Sequence, residues 1–218
     1  MIENDNALLN KKYPDLSFEQ PLWQSGLFHV AGIDEAGRGP LAGPVAAAVL
    51  ILPPEIDIIQ ALWGVRDSKQ MSAAQREHWA DRIRVAAVEW GVGFAAVEEI
   101  DAIGIAAAVR LAVQRSLDAL TIQPDHLLVD YIKLPQIPIP QTALVKGDAR
   151  CLSIAGASVL AKTARDSVMR ELDLEYQGYG FAAHKGYGTA AHLEAIKRLG
   201  GCPIHRKSFA PLKGMDAR

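Results

Sequence analysis

Two apolar runs in the first quarter of the chain enclose a short stretch that is polar and rich in glycine. The runs cover residues 28–33 and 45–52, and residues 34–40 between them read Asp-Glu-Ala-Gly-Arg-Gly-Pro. Short apolar runs separated by Gly and Pro are typical of adjacent β-strands. The pattern therefore predicts two antiparallel strands, at about 28–33 and 43–52, with the polar stretch ending the first strand and opening the turn.

The residues of this stretch suggest a site for a metal ion and an anion. Successive strand residues point to opposite faces, so Asp34 can point into a site while Glu35 reaches its rim. Arg38 lies between Gly37 and Gly39, where the absence of a Cβ lets a ligand come close and lets N–H groups face an anion. The simpler interpretation, a polar hairpin turn with solvated acids, would suit Asp34 alone but does not account for the combination.

The rest of the chain predicts further strands with helices packed on them. Strands are expected at 89–97, 126–130 and 142–146, and helices at 72–88, from 98, and at 105–120, 149–176 and 189–199. Ser72 and Gln75 have the spacing of a capping box at the start of the first helix. Because strands come first and then alternate with helices, the fold class is α/β, with a mixed sheet flanked by helices.

Length and composition favour a single domain whose cysteines are reduced. The chain has 218 residues, and we expect a loose N-terminal lead-in over 1–26 followed by one domain over 27–218. No apolar run reaches the ~18 residues of a membrane helix, and no signal peptide is evident. Cys151 and Cys202 are the only cysteines and lack metal-binding spacing, which indicates buried thiols in a cytoplasmic protein.

Charged side chains are unevenly distributed, although the formal net charge is only −2. Residues 141–218 hold 12 Lys and Arg against 7 Asp and Glu, whereas residues 1–140 hold 11 against 18. A basic part beside an acidic part fits a metal site that meets a polyanion, although such an asymmetry is also common in soluble proteins. The basic tail over 203–218 is either solvated or lies along a nucleic acid.

Three of the predicted strands end in acids, namely Asp34 with Glu35, then Asp130, then Asp148. Strand ends of an α/β sheet converge at one edge, where four carboxylates would repel one another unless cations were bound. Hard oxygen ligands favour Mg²⁺ or Mn²⁺ over zinc, and two such ions roughly 4 Å apart can hydrolyse a phosphodiester. The alternative is a set of unrelated surface acids, with Asp148 serving only as the N-cap of the helix over 149–176.

The motif at residues 34–40 resembles the opening motif of ribonuclease HII, the type 2 ribonuclease H family. Further similar motifs follow in the family's order: LLVD ending at Asp130, KGDA around Asp148, SIAGASVLAK over 153–162, Arg165-Asp166, and YGFAAHKGYGT over 179–189. The resemblance covers about 28–210. The sequence departs from the common pattern at Tyr131, where Gly is usual, at Gly156, and at Gln70-Met71.

This resemblance implies a ribonuclease H-like catalytic domain and a metal-dependent endoribonuclease. Such an enzyme cuts the RNA strand of RNA–DNA hybrids, and cuts 5′ of single ribonucleotides in duplex DNA, leaving 5′-phosphate and 3′-hydroxyl ends by two-metal-ion catalysis. The resemblance implies that the catalytic, metal-binding carboxylates are Asp34, Glu35, Asp130 and Asp148, with Mn²⁺ or Mg²⁺ as cofactor. It also implies which residues bind substrate. Gly37, Arg38 and Gly39 would contact the ribose 2′-hydroxyl, Tyr187 would contact the RNA–DNA junction, and Ser68 or Lys69 would contact the substrate backbone.

Two alternatives to this enzyme can be distinguished by features of the sequence. Ribonuclease HIII usually carries Gly-Lys-Gly where Arg38 stands, together with a separate N-terminal domain that a lead-in of about 26 residues cannot form. A non-catalytic hybrid-binding protein of the same fold has no need of four carboxylates. We therefore expect a monomeric enzyme that acts on RNA–DNA hybrids and ribonucleotide-containing duplex DNA and does not involve a membrane.

Overall fold

A five-stranded mixed sheet forms the centre of the molecule in the computed structural model, which describes residues 13–213. Its strands are β1 (Val30–Ala36), β2 (Val45–Ile51), β3 (Glu89–Ala95), β4 (His126–Asp130) and β5 (Gln141–Leu144). They lie in the order β3-β2-β1-β4-β5, with β1–β2 and β2–β3 antiparallel and β1–β4 and β4–β5 parallel. The predicted strands and the mixed α/β sheet are therefore confirmed.

Eight α-helices connect and cover these strands within the described residues. They are α1 (Glu19–Gln24), α2 (Ile58–Ala61), α3 (Ala73–Ala86), α4 (Val97–Ile103), α5 (Ile105–Asp118), α6 (Leu152–Glu175), α7 (Phe181–His184) and α8 (Ala190–Leu199). Single 3₁₀ turns occur at Ser68–Gln70 and Gly147–Ala149. The predicted capping box of Ser72 and Gln75 is present at the start of α3. No helix in the described part of the chain is long and apolar enough to cross a membrane.

The sheet is buried because long helices pack on both of its faces. All seven residues of β2 are buried and apolar, as expected for a strand covered on both sides. Helix α6 approaches one face so closely that a Cβ on Gly32 of β1 would overlap the main chain of Ser153. On the other face, a Cβ on Gly93 of β3 would overlap the carbonyl of Ala112 in α5. These glycines set the distance between the helices and the sheet.

Two predicted boundaries next to the acids are wrong. Strand β1 does not end before Asp34, because Asp34 and Glu35 continue the ladder with Ala48 and Ala47 of β2. Helix α6 begins at Leu152 rather than at residue 149, and the N-cap is Cys151. Asp148 lies in the preceding 3₁₀ turn. The alternative in which Asp148 serves only as the helix N-cap is therefore wrong, and its carboxylate contacts Lys69 instead.

The described part of the lead-in, residues 13–26, packs on the domain and is not loose. Leu16 and Glu19 are buried. One oxygen of Glu19 accepts hydrogen bonds from the N–H (2.8 Å) and hydroxyl (2.7 Å) of Ser153. Glu19 therefore satisfies the first turn of α6, where Cys151 offers no side-chain cap. The domain boundary at residue 26 stays a prediction, and residues 1–12 lie outside the described residues.

The C-terminal segment also packs on the domain. His205 and Arg206 are buried, which contradicts the solvated tail considered from the sequence for these two residues. Both cysteines are free and buried, as predicted. Residues 214–218 of the tail lie outside the described residues.

Candidate active site

Three aspartates from separate elements converge at one edge of the sheet. Asp34 lies in β1, Asp130 ends β4, and Asp148 lies in the 3₁₀ turn after β5. One oxygen from each lies within 4.8 Å of the others. Because β1 and β4 are parallel neighbours, their acids leave the sheet at the same edge. The predicted convergence of these three acids is present in the structure.

Burial and the charges of neighbouring acids hinder ionisation of two members of this cluster, Asp34 and Asp130. Asp34 and Asp148 are only 5% and 6% exposed. Burial, together with the charges of Glu35 and Asp130, raises the pKa of Asp34 well above its ordinary value. Burial also raises the pKa of Asp130, although a hydrogen bond from the Gly147 N–H (2.7 Å) opposes it. A group of carboxylate oxygens that repel one another is a donor set suited to Mg²⁺ or Mn²⁺.

Glu35 lies beside the aspartates rather than among them. Its Oε1 accepts a hydrogen bond from the Arg38 guanidinium at 3.1 Å. Burial raises the pKa of Glu35, and the charge of Arg38 partly offsets this effect. The position agrees with the prediction that Asp34 points into the site while Glu35 reaches its rim.

A single cleft of about 470 Å³ brings all the sequence-predicted site residues together. Its lining contains the four acids and the six residues predicted to bind substrate: Asp34, Glu35, Gly37, Arg38, Gly39, Ser68, Lys69, Asp130, Asp148 and Tyr187. Lys146 and Lys162 line the same cleft and were not predicted as site residues. The acids therefore lie in a cleft whose remaining charged lining is cationic, which suits a polyanionic ligand.

Ser68 and Lys69 occupy different positions in this cleft. The Lys69 ammonium is 3.4 Å from an oxygen of Asp148, and its side chain is 75% exposed. The Ser68 side chain is buried, and its hydroxyl is 2.9 Å from that of Ser158. Lys69 is thus available to a ligand, whereas the Ser68 hydroxyl already has a partner. A contact between Ser68 and substrate stays a prediction.

Tyr187 lies against the turn formed by residues 37–39. Its ring is partly exposed, and a Cβ on Gly39 would lie 3.9 Å from its Cε1. The Lys162 ammonium lies 5.6 Å from the ring centroid and donates to Asp166 at 2.7 Å. No local pattern predicts the contact of Lys162 with the ring, because the two residues are on separate elements.

Two buried arginines hold the main chain of residues 37–44, which include this turn, from beneath. Arg206 donates to the carbonyls of Gly37 (2.6 Å) and Arg38 (3.0 Å), and also to those of residues 43 and 44. Arg165 donates to the carbonyls of residues 42, 44 and 185. Gly37 has a φ of +98°, and a Cβ there would overlap the Arg165 side chain. Arg165 therefore has a structural role, and the sequence did not indicate a role for Arg206.

At Tyr131, where the family usually has Gly, the backbone adopts a conformation that favours glycine. Its φ of +59° lies in the left-handed region, which glycine adopts without a steric penalty. The Tyr131 side chain is exposed and lines the cleft next to Asp130. Asp130 nevertheless joins the cluster, so the substitution does not remove this acid from the site.

The family model and the sequence relatives agree on one family. The family model described as ribonuclease HII matches residues 31–212. A ribonuclease HII of Dehalococcoides mccartyi is 53% identical over 204 residues, covering 93% of this chain and 95% of that protein. One from Moorella thermoacetica is 51% identical, covering 88% and 92%. The crystal structure of ribonuclease H2 from Pyrococcus horikoshii is similar, with a TM-score of 0.68, 27% identity, and 84% and 95% coverage.

Proposed function

Because the chain belongs to the ribonuclease HII family, we propose that it hydrolyses the RNA strand of RNA–DNA hybrids and cuts 5′ of single ribonucleotides in duplex DNA. A metal-dependent endoribonuclease is the activity of this family, and the acidic cluster fits it. The finer proposal concerns which residues act and how RNA is distinguished. The alternative of ribonuclease HIII is not supported, because the match to the ribonuclease HII model covers most of the chain.

One observation carries the proposal: a carboxylate oxygen from each of Asp34, Asp130 and Asp148 lies within 4.8 Å of the other two. We assign metal binding to these three residues and to Glu35 on the rim, with Mg²⁺ or Mn²⁺ as the ions. Such ions supply the Lewis acidity that makes water nucleophilic and stabilises the leaving 3′ oxygen, which gives 5′-phosphate and 3′-hydroxyl ends.

The chain's cations orient the substrate around this cluster. Lys69 lies beside Asp148 and is exposed, so its ammonium is placed to contact a phosphate next to the scissile one. Arg38 is half-exposed and holds Glu35, so it can contact the substrate without leaving the rim. Both contacts are electrostatic and position the nucleic-acid backbone rather than read its sequence.

Recognition of RNA is assigned to the main chain of the turn at 37–39. The 2′-hydroxyl is the feature that distinguishes ribose, and it can donate and accept hydrogen bonds. The carbonyls of Gly37 and Arg38 accept hydrogen bonds from Arg206. Within residues 13–213, the N–H groups of residues 37–39 have no hydrogen-bond partner. These N–H groups are therefore left to bind the ribose.

Tyr187 completes the recognition surface next to that turn. Its partly exposed ring can stack on the deoxyribose that adjoins the ribonucleotide, and its hydroxyl can contact the 2′-oxygen or a phosphate. Because all these groups belong to one chain, we further propose that the enzyme acts as a monomer. Its two buried free thiols fit a reducing cytoplasm.

The test is cleavage of duplex DNA that holds one ribonucleotide, with Mn²⁺ or Mg²⁺ and with EDTA. We expect metal-dependent incision 5′ of the ribonucleotide and 3′-hydroxyl and 5′-phosphate ends. Asp148→Asn should abolish cleavage but retain substrate binding, whereas a pure hybrid-binding protein would show no cleavage in either form. Full activity in EDTA, or a 2′,3′-cyclic phosphate product, would contradict the assigned chemistry.

A further inference from the structure

Residues 202–206 form a turn after α8, here called the support turn, in which Cys202, His205 and Arg206 are buried. Its His205 and Arg206 are 2% and 0% exposed, and neither lines the cleft. The support turn pairs with the chain that follows the turn at 37–39, because the Arg206 N–H donates to the carbonyl of Leu41 (2.8 Å). The Gly43 N–H donates in return to the carbonyl of Ile204 (2.9 Å). The support turn is therefore fixed to the domain independently of any ligand.

Hydrogen bonds link the support turn to Tyr187 through two buried histidines. His192 Nδ1 is 3.0 Å from the Tyr187 carbonyl, which can only accept, so Nδ1 carries the proton. His192 Nε2 must then accept from His205 Nε2, at 3.1 Å. His205 Nδ1 in turn accepts from the Cys202 N–H, at 2.9 Å. When both rings are neutral, these roles are consistent, and the 3.2 Å approach of His205 Nδ1 to the Cys202 carbonyl is then a contact between two acceptors rather than a hydrogen bond.

Burial favours this neutral arrangement of the two rings. It lowers the pKa of His192 to about 4, with additional contributions from His184 and His205. Burial also lowers the pKa of His205. At neutral pH both histidines are therefore uncharged, and the path from Cys202 to the Tyr187 carbonyl is continuous.

The next residue of the support turn holds the other recognition element. The Arg206 guanidinium donates hydrogen bonds to main-chain carbonyls, including those of Gly37 and Arg38. Two consecutive residues, His205 and Arg206, thus reach the tyrosine and the Gly-Arg-Gly turn respectively. These elements are about 150 residues apart in the sequence and share this support in the fold.

We propose that the support turn fixes the two RNA-recognition elements relative to each other. His205, acting through His192, positions Tyr187, while Arg206 positions Gly37 and Arg38. The inference rests on the proposed function, because it assumes that Tyr187 and the turn at 37–39 bind the ribonucleotide. His192, His205 and Arg206 are positioning residues, since none of them lines the cleft.

Two substitutions of His205 separate positioning from general stability. In His205→Asn, the amide oxygen can replace Nδ1 as acceptor for the Cys202 N–H, but the donor to His192 is lost. In His205→Gln, the longer side chain can place an amide N–H near the former Nε2 and restore that donor. Phe181→Leu is the matched control, because Phe181 is buried against both histidines without hydrogen-bonding to either recognition element.

The assay is single-turnover cleavage of duplex DNA with one embedded ribonucleotide, at saturating enzyme and Mn²⁺. Small misplacements of a recognition group can cost up to about a hundredfold in rate, so we expect about a tenfold loss for His205→Asn. His205→Gln and Phe181→Leu should remain within about threefold of wild type, even where their melting temperatures fall. Arg206→Lys should also slow cleavage while its Mn²⁺ affinity, measured by calorimetry, is unchanged.

A double-mutant cycle with Tyr187→Ala shows whether His205 acts through the tyrosine. If it does, His205→Asn should cause less than about a twofold further loss in the Tyr187→Ala background. The inference is overturned if the losses of His205→Asn and Tyr187→Ala multiply in the double mutant. It is also overturned if His205→Gln or Phe181→Leu is as slow as His205→Asn. A Tyr187→Ala variant with wild-type rate would instead show that the proposed role of Tyr187 is wrong, and would overturn the inference with it.

Discussion

Asp34→Asn should make the metal-free protein more stable while abolishing cleavage. Asp34 is buried beside Asp130 and Asp148, and its pKa is raised by burial and then by the charge of Glu35. The asparagine has nearly the same shape, and its oxygen can still accept from the Glu35 N–H, as Asp34 Oδ1 does at 2.8 Å. The substitution therefore removes a disfavoured charge and leaves the packing unchanged.

The size of the effect follows from the separation of the carboxylates. Two unit charges within 4.8 Å repel by about 3–4 kcal/mol at an effective dielectric constant of about 20. Partial protonation relieves most of this repulsion, so we expect a gain of about 1–2 kcal/mol near neutral pH. In a protein of this size, each kcal/mol raises the melting temperature by about 2–4 °C.

The pH dependence has a definite sign. A carboxyl group whose pKa is raised by folding binds a proton more readily in the folded than in the unfolded state. The wild type therefore loses stability as the pH rises from the unfolded value of about 3.9 through the raised folded pKa of Asp34. The advantage of Asp34→Asn should be largest near pH 7.5 and nearly absent at about pH 4.

Thermal unfolding followed by circular dichroism in EDTA measures this difference. Mn²⁺ should then stabilise the wild type more than Asp34→Asn, because a ligand stabilises only the state that binds it. Asp81→Asn is a matched control at an exposed ion pair and should change stability by less than about 0.5 kcal/mol. The reasoning fails if Asp34→Asn is less stable than wild type in EDTA at pH 7.5, or if Mn²⁺ stabilises both proteins equally.

Four further substitutions, at three residues, test the recognition elements and the packing beneath the sheet. Arg38→Ala should reduce cleavage at least tenfold while changing the melting temperature by less than about 2 °C, because the Arg38 side chain is half-exposed and its single ion pair adds little stability; a large loss of stability would make Arg38 structural. Tyr187→Ala should strongly slow single-turnover cleavage at one ribonucleotide with unchanged Mn²⁺ binding. Tyr187→Phe should keep most of that rate if stacking dominates and little if the hydroxyl is essential. Gly32→Ala should destabilise the fold by about 1–3 kcal/mol or more, because its Cβ would meet the main chain of Ser153; unchanged denaturant midpoints would contradict this packing.

The sequence predicted the elements that depend on local patterns. Apolar runs located the strands, and a local capping box located the start of α3. The acids at the ends of these runs then predicted the cluster of Asp34, Asp130 and Asp148, because the topology of α/β sheets brings such ends together.

Long-range contacts account for what the sequence could not show. Strand β1 extends through Asp34 because pairing with β2 outweighs the low strand propensity of two acids. Glu19 replaces Asp148 as the group that satisfies the first turn of α6, although it lies 134 residues from Ser153. Arg206 looked like one of several basic residues in a tail, and only folding places it beneath Gly37. Such partners have no signature in local composition or periodicity.

The location of Mn²⁺ in crystals of the full chain tests the central claim most directly. Anomalous difference maps should show Mn²⁺ between the carboxylates of Asp34, Asp130 and Asp148, with Glu35 close by. Crystals of Asp34→Asn should lose or weaken that density under the same soak. Absence of density at this cluster, at a Mn²⁺ concentration that supports full cleavage by the wild type, would contradict the assignment of the active site.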